Sequence, residues 1–245
     1  TIRWVGNEMG FAPYPAWNGV SARDAATGIA TAIHGDPDGE RWLPNEVDVS
    51  LRRPNWFWST KNHTRIMSLD DLMEIYYRSV GRGANLLLNL TPDTSGLIPA
   101  ADVARAREFG DEARRRFGKS LAETRVTGKA LTLNLPRAMR VDHVIIQEDI
   151  SRGERVREYT LEGLVNGAWV PLGGGTAIGQ MRIQPVGPVE AEALRLACTG
   201  FSATPSIRRF AACSTGAAPP KTWNDPPRCG RTTRPVAGLT AGSMW

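Results

Sequence analysis

No apolar run in the 245-residue chain reaches the ~18 residues of a membrane span, so no helical crossing is expected. Cysteine is scarce. Cys198, Cys213 and Cys229 are odd in number and widely spaced, which fits neither a disulfide framework nor a metal motif. Cys198 in "LRLACTG" and Cys213 in "RRFAACS" read as buried free thiols on strands. Histidine is equally rare, and neither His34 nor His63 has a Ser or Cys nucleophile arrangement around it, while His143 falls in a strand. There is no glycine-rich phosphate loop and no internal repeat. An initiator Met and a signal-like leader are also missing, so Thr1 is expected to be an internal point of a longer gene product. Compartment is not directly legible; a secreted or periplasmic parent protein is expected.

Concentrated positive charge is the next absence. The net charge is +5, but residues 214–245 hold Lys221, Arg228, Arg231 and Arg234 against Asp225 alone, leaving +2 for everything before. A polyanion binder gathers its cations on a folded face, with aromatics for stacking if the target is single-stranded. Neither feature is present, so nucleic acid is not the expected partner.

What is present changes character near residue 118. Before it, strands alternate with helices. "IRWVGNE" reads as a strand ending on Glu8. "EVDVSLR" is a second, with Val47, Val49 and Leu51 on one face. In "SLDDLMEIYYRSVGRG", Ser68 and Asp71 form a capping-box-like start, and Leu69, Leu72, Met73, Tyr76 and Val80 keep a helical stripe. "ANLLLNL" is a continuous apolar strand of the kind buried on both faces of a parallel sheet. A helix follows from Pro99 to Phe117, with Val103, Ala106, Phe109, Ala113 and Phe117 inward. This order predicts parallel strands, too few to close a (β/α)₈ barrel of about 250 residues. A small doubly wound sheet is the alternative, but the last part of a barrel is the better reading. After Gly118, short alternating segments ("ALTLNLP", "MRVDHVIIQED", "VREYTLEGLV", "AWVPLG", "MRIQPV", "ALRLAC", "IRRFAAC") predict a β-sandwich. The expected domains are therefore 1–118, a C-terminal piece of a barrel, and 119–213, a sandwich, followed by a disordered tail over 214–245.

Glu8 is the sharpest candidate for chemistry, because barrel enzymes carry catalytic groups where their strands end. Trp4 and Trp17 are available to line an apolar wall beside it. A carboxyl against such a wall is costly to ionise and can hold a proton near neutrality, as a general acid must. The alternatives are a Glu paired with Arg3 or a solvated loop charge. A second cluster, "HGDPDGERWLPNEVDVSLRRPNWFWST", mixes Asp36, Asp38, Glu40, Glu46 and Asp48 with Trp42, Trp56, Phe57 and Trp58. Aromatic rings beside carboxylates suit sugars, whose C–H faces stack while their hydroxyls need polar partners. "DPDGE" lacks the ligand spacing of a calcium loop, and the Asn-x-Thr triplets at Asn62 and Asn89 read as chance.

Taken together, "RWVGNEMGFA", "GDPDGERWLPNEVDVSLR", "WFW" and "SLDDLMEIYYRSVGRGANLLLNLTPDTSGLIPAADVARAREFG" resemble the C-terminal part of the catalytic barrel of the α-L-fucosidase family of glycoside hydrolases. The likeness is to the branch acting on α-1,3/1,4-linked fucose. The segment from "HVIIQED" to "SIRRFAAC" is similar to the discoidin-like (galactose-binding-like) sandwich that follows that barrel. The resemblance spans residues 1–213. It implies a (β/α)₈-like barrel and a retaining hydrolase needing no cofactor, with a fucosylated oligosaccharide or glycoconjugate as substrate. It places the acid/base on Glu8. The nucleophilic Asp and the ring-binding histidines belong to earlier strands, expected in a missing N-terminal part of the same barrel. Trp56 and Trp58 match the aromatic motif near the sugar pocket, and Trp17 and Glu46 complete the candidate substrate-binding set. Ser59 departs from the family, standing where a His is customary, and the start of the sandwich looks shortened near "SLAETRVTGKALTLNLP". The alternative function is a non-catalytic carbohydrate-binding or structural protein acting through the sandwich, whose loops offer Trp169 and Phe201.

The charge distribution is testable. Removing residues 214–245 is expected to abolish most of the chain's retention on a heparin column; unchanged retention would locate the basic surface on the folded part.

Overall fold

The structure is a computed structural model that describes residues 2–27, 33–61 and 65–220. In chain order the first part holds β1 (Arg3–Trp4), β2 (Gly19–Val20), α1 (Ala22–Thr27), β3 (Arg41–Trp42), β4 (Asn45–Ser50), α2 (Leu69–Arg78), β5 (Asn85–Asn89) and α3 (Ala100–Phe117). β1, β4 and β5 form a parallel sheet in that order, as the alternation of strand and helix predicts. β2 and β3 pair separately as a short hairpin.

Alternation along β4 sorts the two faces of the parallel sheet. Val47 and Val49 are fully buried with Val5, Ala12, Ala16 and Ala84. Gly10 lies over this face at φ +75°, where an added Cβ would sit 2.8 Å from Ile75 and 3.2 Å from Val49. The chain here must therefore be glycine to let α2 approach the strand. Glu46, Asp48 and Ser50 point the other way. They share that face with Trp4 and Leu87, which are 44% and 45% exposed. The continuous apolar run of β5 is thus only half-buried, and on one side, among the described residues, contrary to the expectation of two covered faces.

Helix α2 starts as its sequence predicts: the Ser68 hydroxyl accepts from the Asp71 amide at 3.1 Å. Its burial is wider than one stripe. Leu72 and Ile75 are buried, with Ile75 reaching Gly10 and Val49 of the parallel sheet, while Met73 and Tyr77 pack with Phe117, Ile145, Ile183, Ala211 and Cys213. Helix α3 keeps the predicted stripe except at its head. Val103 is exposed, and Asp102 takes the inward position instead, fully buried and bonded to Arg52, whose Nε donates to Asp102 Oδ2 at 2.9 Å. The helical spacing Asp102, Ala106, Phe109, Ala113, Phe117 keeps the period, with an ion pair at its head.

The second part is one six-stranded antiparallel sheet in the order β6-β11-β7-β10-β8-β9, made of β6 (Ala122–Thr127), β7 (Ala130–Glu148), β8 (Val156–Val165), β9 (Ala168–Gly175), β10 (Arg182–Phe201) and β11 (Ser206–Cys213). Two pairs of predicted strands are merged. "ALTLNLP" and "MRVDHVII" form the single strand β7, and "MRIQPV" and "ALRLAC" form β10, with register shifts between Pro185 and Val189 and between Ala191 and Ala193. Such irregularities let long strands bend around one core, here Leu133, Val144, Ile146, Tyr159, Leu161, Leu194, Leu196 and Phe210. β6 was not among the predicted strands; it pairs with β11 at the sheet edge. Residues 141–146 are buried on both faces because α2 and α3 cover the outer one. Cys198 and Cys213 are buried free thiols, pushed up to about 12 and about 11 by burial; Cys229 lies outside the described residues.

Polar groups tie the two parts together. Tyr77 Oη and His143 Nε2 are 2.9 Å apart, and His143 Nδ1 lies 2.8 Å from Asp142 Oδ1. Asp142 also accepts from the amides of Thr215 and Gly216, so the packed chain continues past Ser214; residues 221–245 lie outside the described set. Tyr14 Oη donates to the Ala177 carbonyl, and the Asn18 amide and side chain donate to the buried Glu154. No helix among the described residues is long and apolar enough to cross a membrane.

Two outcomes follow from these buried groups. Asp102→Ala removes the counter-charge of a buried guanidinium and is expected to cost about 3–5 kcal/mol, read as a lower urea midpoint; Arg52→Met in the same chain should recover part of it. Burial holds the His143 imidazole below its ordinary 6.5, against the opposing pull of Asp142. The unfolded chain therefore takes the proton first, and stability falls as pH drops below about 6.5. Urea midpoints measured on either side of that value should diverge less in His143→Gln than in the native chain.

Candidate functional site

All three parallel strands run the same way, so the loops after β1, β4 and β5 open at one end of the sheet. The first holds Glu8. β1 ends at Trp4 rather than at the carboxylate; Val5 still donates to the Glu46 carbonyl at 3.0 Å, and Gly6 then turns the chain at φ +89°. Asn7 braces the loop, donating through Nδ2 to Phe11 O at 2.9 Å and accepting from the Met9 amide at 3.0 Å. Glu8 is left exposed between them.

The loop after β4 brings Trp56 to it. Trp56 Nε1 donates to Glu8 Oε2 at 2.7 Å. The turn carrying the indole is pinned from both neighbours. Ser50 Oγ donates to Asn55 O at 2.5 Å, while Asn89 Nδ2 and Thr91 Oγ1 donate to the Trp56 carbonyl at 3.1 and 3.2 Å. A chain of bonds thus runs from the end of β5 through the Trp56 turn to the Glu8 carboxylate. Asn7, Asn89 and Thr91 were missed as site residues. The legible signal was a polar residue closing the apolar run of "ANLLLNL", which the Asn-x-Thr reading had explained away.

The other candidates disperse. Trp58 lines a different hollow, with Arg52, Thr60, Asp93, Pro99 and Ala101. Trp17 is buried; its ring lies 4.8 Å from the Arg157 guanidinium of the antiparallel part, and its carbonyl accepts from Arg3. Glu46 is part-buried on β4, opposite Trp4 in the register and on the open face. Trp4 Nε1 donates to Asp48 Oδ1 at 2.7 Å. The aromatic neighbour bonded to Glu8 is therefore Trp56, presented through its N–H, and the apolar wall expected from Trp4 and Trp17 is not formed by their described contacts. Arg3 is buried on Asn45 and Trp17, which removes the Glu8–Arg3 alternative. In the antiparallel part, a cation lies over one face of each aromatic ring named for glycan binding: Arg195 is 4.3 Å from the Trp169 ring and Lys129 5.3 Å from Phe201.

Comparison with known proteins bears on this arrangement. No protein-family model matches the chain. A protein of Oryza sativa subsp. japonica, provisionally named alpha-L-fucosidase 1, is 30% identical over 246 residues, covering 85% of this chain and 47% of its own length. A crystal structure from Bacteroides thetaiotaomicron, described provisionally as an alpha-L-fucosidase, superposes with a TM-score of 0.80 at 41% identity, covering 87% of this chain and 51% of that one. The chain is a homologue of α-L-fucosidases. A Ruminococcus gnavus fucosidase solved with fucose bound is also similar, with TM-score 0.76, 25% identity, and coverage of 87% of this chain and 50% of that one. The homologue thus spans about half the length of the fucosidases it matches.

Proposed function

We propose that the chain is the C-terminal part of a retaining α-L-fucosidase and that Glu8 is its general acid/base. The observation that carries this reading is the Trp56 Nε1–Glu8 Oε2 bond, made where the parallel strands end and braced by residues of all three strand exits. The indole holds one carboxyl oxygen and leaves Oε1 to deliver and retrieve the proton. In the first half-reaction Glu8 protonates the glycosidic oxygen as an aspartate carboxylate attacks the anomeric carbon; the C–O bond breaks and a fucosyl ester forms. In the second, Glu8 takes a proton from water, whose oxygen displaces the ester and releases fucose. Two carboxyl groups about 5–5.5 Å apart suffice for this, and no metal or organic cofactor enters.

In this reading residues 1–118 are the last strands of a (β/α)₈ barrel and 119–213 a discoidin-like sandwich. The uncovered face bearing Trp4, Glu46, Asp48 and Leu87 supports it, since such a face fits the inner wall of a barrel whose other strands, with the nucleophile, come from polypeptide preceding Thr1 in the parent protein. Trp58, Glu46 and Trp17 remain substrate-binding candidates, Trp58 with the most direct claim because it lines a hollow at the same end of the sheet. In this reading the substrate is a fucosylated glycan, and the likeness to the α-1,3/1,4 branch is the support for that linkage class.

The test uses aryl α-L-fucosides with good and poor leaving groups. The 245-residue chain alone should give no turnover. In the parent protein, Glu8→Gln should lower kcat/KM, which reports the first half-reaction, by about 10²–10⁴ for the poor leaving group and far less for the good one, which needs no protonation. Equal losses on both would remove Glu8 from the acid/base role, and turnover by the chain alone would point to Asp48 or Asp36 as nucleophile.

A further inference from the structure

A hollow of about 530 Å³ lies against helix α2 and takes no part in the bonds around Glu8. Its apolar lining comes from three places: Phe11 after β1, Met73 and Tyr77 on α2, and Ala217, Pro219 and Pro220 of the segment that follows β11. The polar lining is uneven in charge. Glu74 and Arg78 are 3.8 Å apart, and Arg116 is held by Glu112 at 2.6 Å, so those charges are matched. Asp70 and Asp71 remain, both exposed in the first turn of α2, and Asp71 accepts only from the neutral Ser68 hydroxyl, at 2.6 Å, among its side-chain partners.

The chain steers its own end to this hollow. Asp142 accepts from the Thr215 and Gly216 amides at 2.8 and 2.9 Å, and the Thr215 hydroxyl accepts from the Ala217 amide at 3.1 Å. Arg115 donates to the Thr215 carbonyl at 2.9 Å. Pro219 and Pro220 follow. Each proline fixes its own φ and restricts the residue before it to extended backbone, so the direction set at Thr215 is carried forward stiffly. Pro220, the last described residue, is half-buried and forms part of the wall. The sequence continues Lys221-Thr222-Trp223. Three residues span at most about 11 Å, so Trp223 cannot stray far from the wall that Pro220 forms.

Segment and hollow match in size and in sign. An indole buries about 150–250 Å² when it packs, and the rings of Phe11 and Tyr77 with the Met73 thioether supply the apolar, polarisable surface it needs. Lys221 is the first residue beyond the wall and carries the charge that Asp70 and Asp71 lack. Exposed ion pairs contribute little to affinity and more to orientation. Burial of the indole therefore supplies the attraction, and the lysine sets which way the segment lies.

We propose that the hollow against α2 is a docking site for the chain's own segment 221–225, with Trp223 seated among Phe11, Met73 and Tyr77 and Lys221 facing Asp70 and Asp71. The proposal is independent of the fucosidase reading. The full 245-residue chain labelled with 5-fluorotryptophan gives one fluorine NMR signal for each of its eight tryptophans, and Trp223→Phe identifies the signal in question. That signal is expected away from the position of a free fluorotryptophan peptide, with less than about half of the free peptide's shift between H₂O and D₂O. Phe11→Ser should return it towards the free position while the other tryptophan signals stay in place. Asp70→Lys should move it the same way by a smaller amount, and decides alone if Phe11→Ser disturbs the other signals. A free-like Trp223 signal in the native chain, or a displaced one that Asp70→Lys does not move, would overturn the proposal. So would a displaced signal that reverts on about twentyfold dilution, which would make the occupant a second copy of the chain.

Discussion

Helix α2 is the element on which the rest depends, because it has apolar residues on two sides and must bury both. Ile75 closes on the parallel sheet through the space that Gly10 leaves open, while Met73 and Tyr77 close on the outer face of the antiparallel sheet. An amphipathic helix on a single sheet would need one stripe. This one is a shared layer. Its burial couples the position of β4 to strands β7, β10 and β11 of the antiparallel sheet, and the Tyr77–His143–Asp142 bonds add direction to a contact that apolar packing alone leaves loose. The two parts are accordingly one packed unit at this seam.

That rigidity matters for chemistry because the residues at the strand exits come from segments far apart in sequence. Glu8, Trp56 and Asn89 meet only if β1, β4 and β5 hold their parallel register. Each loop is short of internal support and borrows it from its neighbour: the Trp56 turn from Ser50 and Asn89, the Glu8 carboxylate from Trp56. A carboxyl held this way has one oxygen bonded to Trp56 and the other free of it. Arg52 and Asp102 likewise tie the segment after β4 to α3, beside the hollow that Arg52 and Trp58 line.

Similarity to fucosidases covers about half of their length, and the parallel sheet in the part they share has two unlike faces. One face is filled with valine and alanine. The other holds Trp4 and Leu87 half in solvent beside Glu46 and Asp48.

The sequence by itself determined the local elements. The period of "LDDLMEIYYR", the Ser68 cap, the alternation of "NEVDVS" and the alternating segments after Gly118 depend on contacts within a few residues, and so does the short strand that leads into Glu8. Tertiary structure decided what periodicity cannot encode. Val103 yielded the inward position to Asp102 because a buried Arg52 waited there. The strands β7 and β10 ran through what looked like turns because bulges let them bend around a common core. The aromatic partner of Glu8 was Trp56, 48 residues away, and not Trp4 or Trp17, because the pairing of parallel strands, and not proximity in the chain, sets which loops share an end of the sheet.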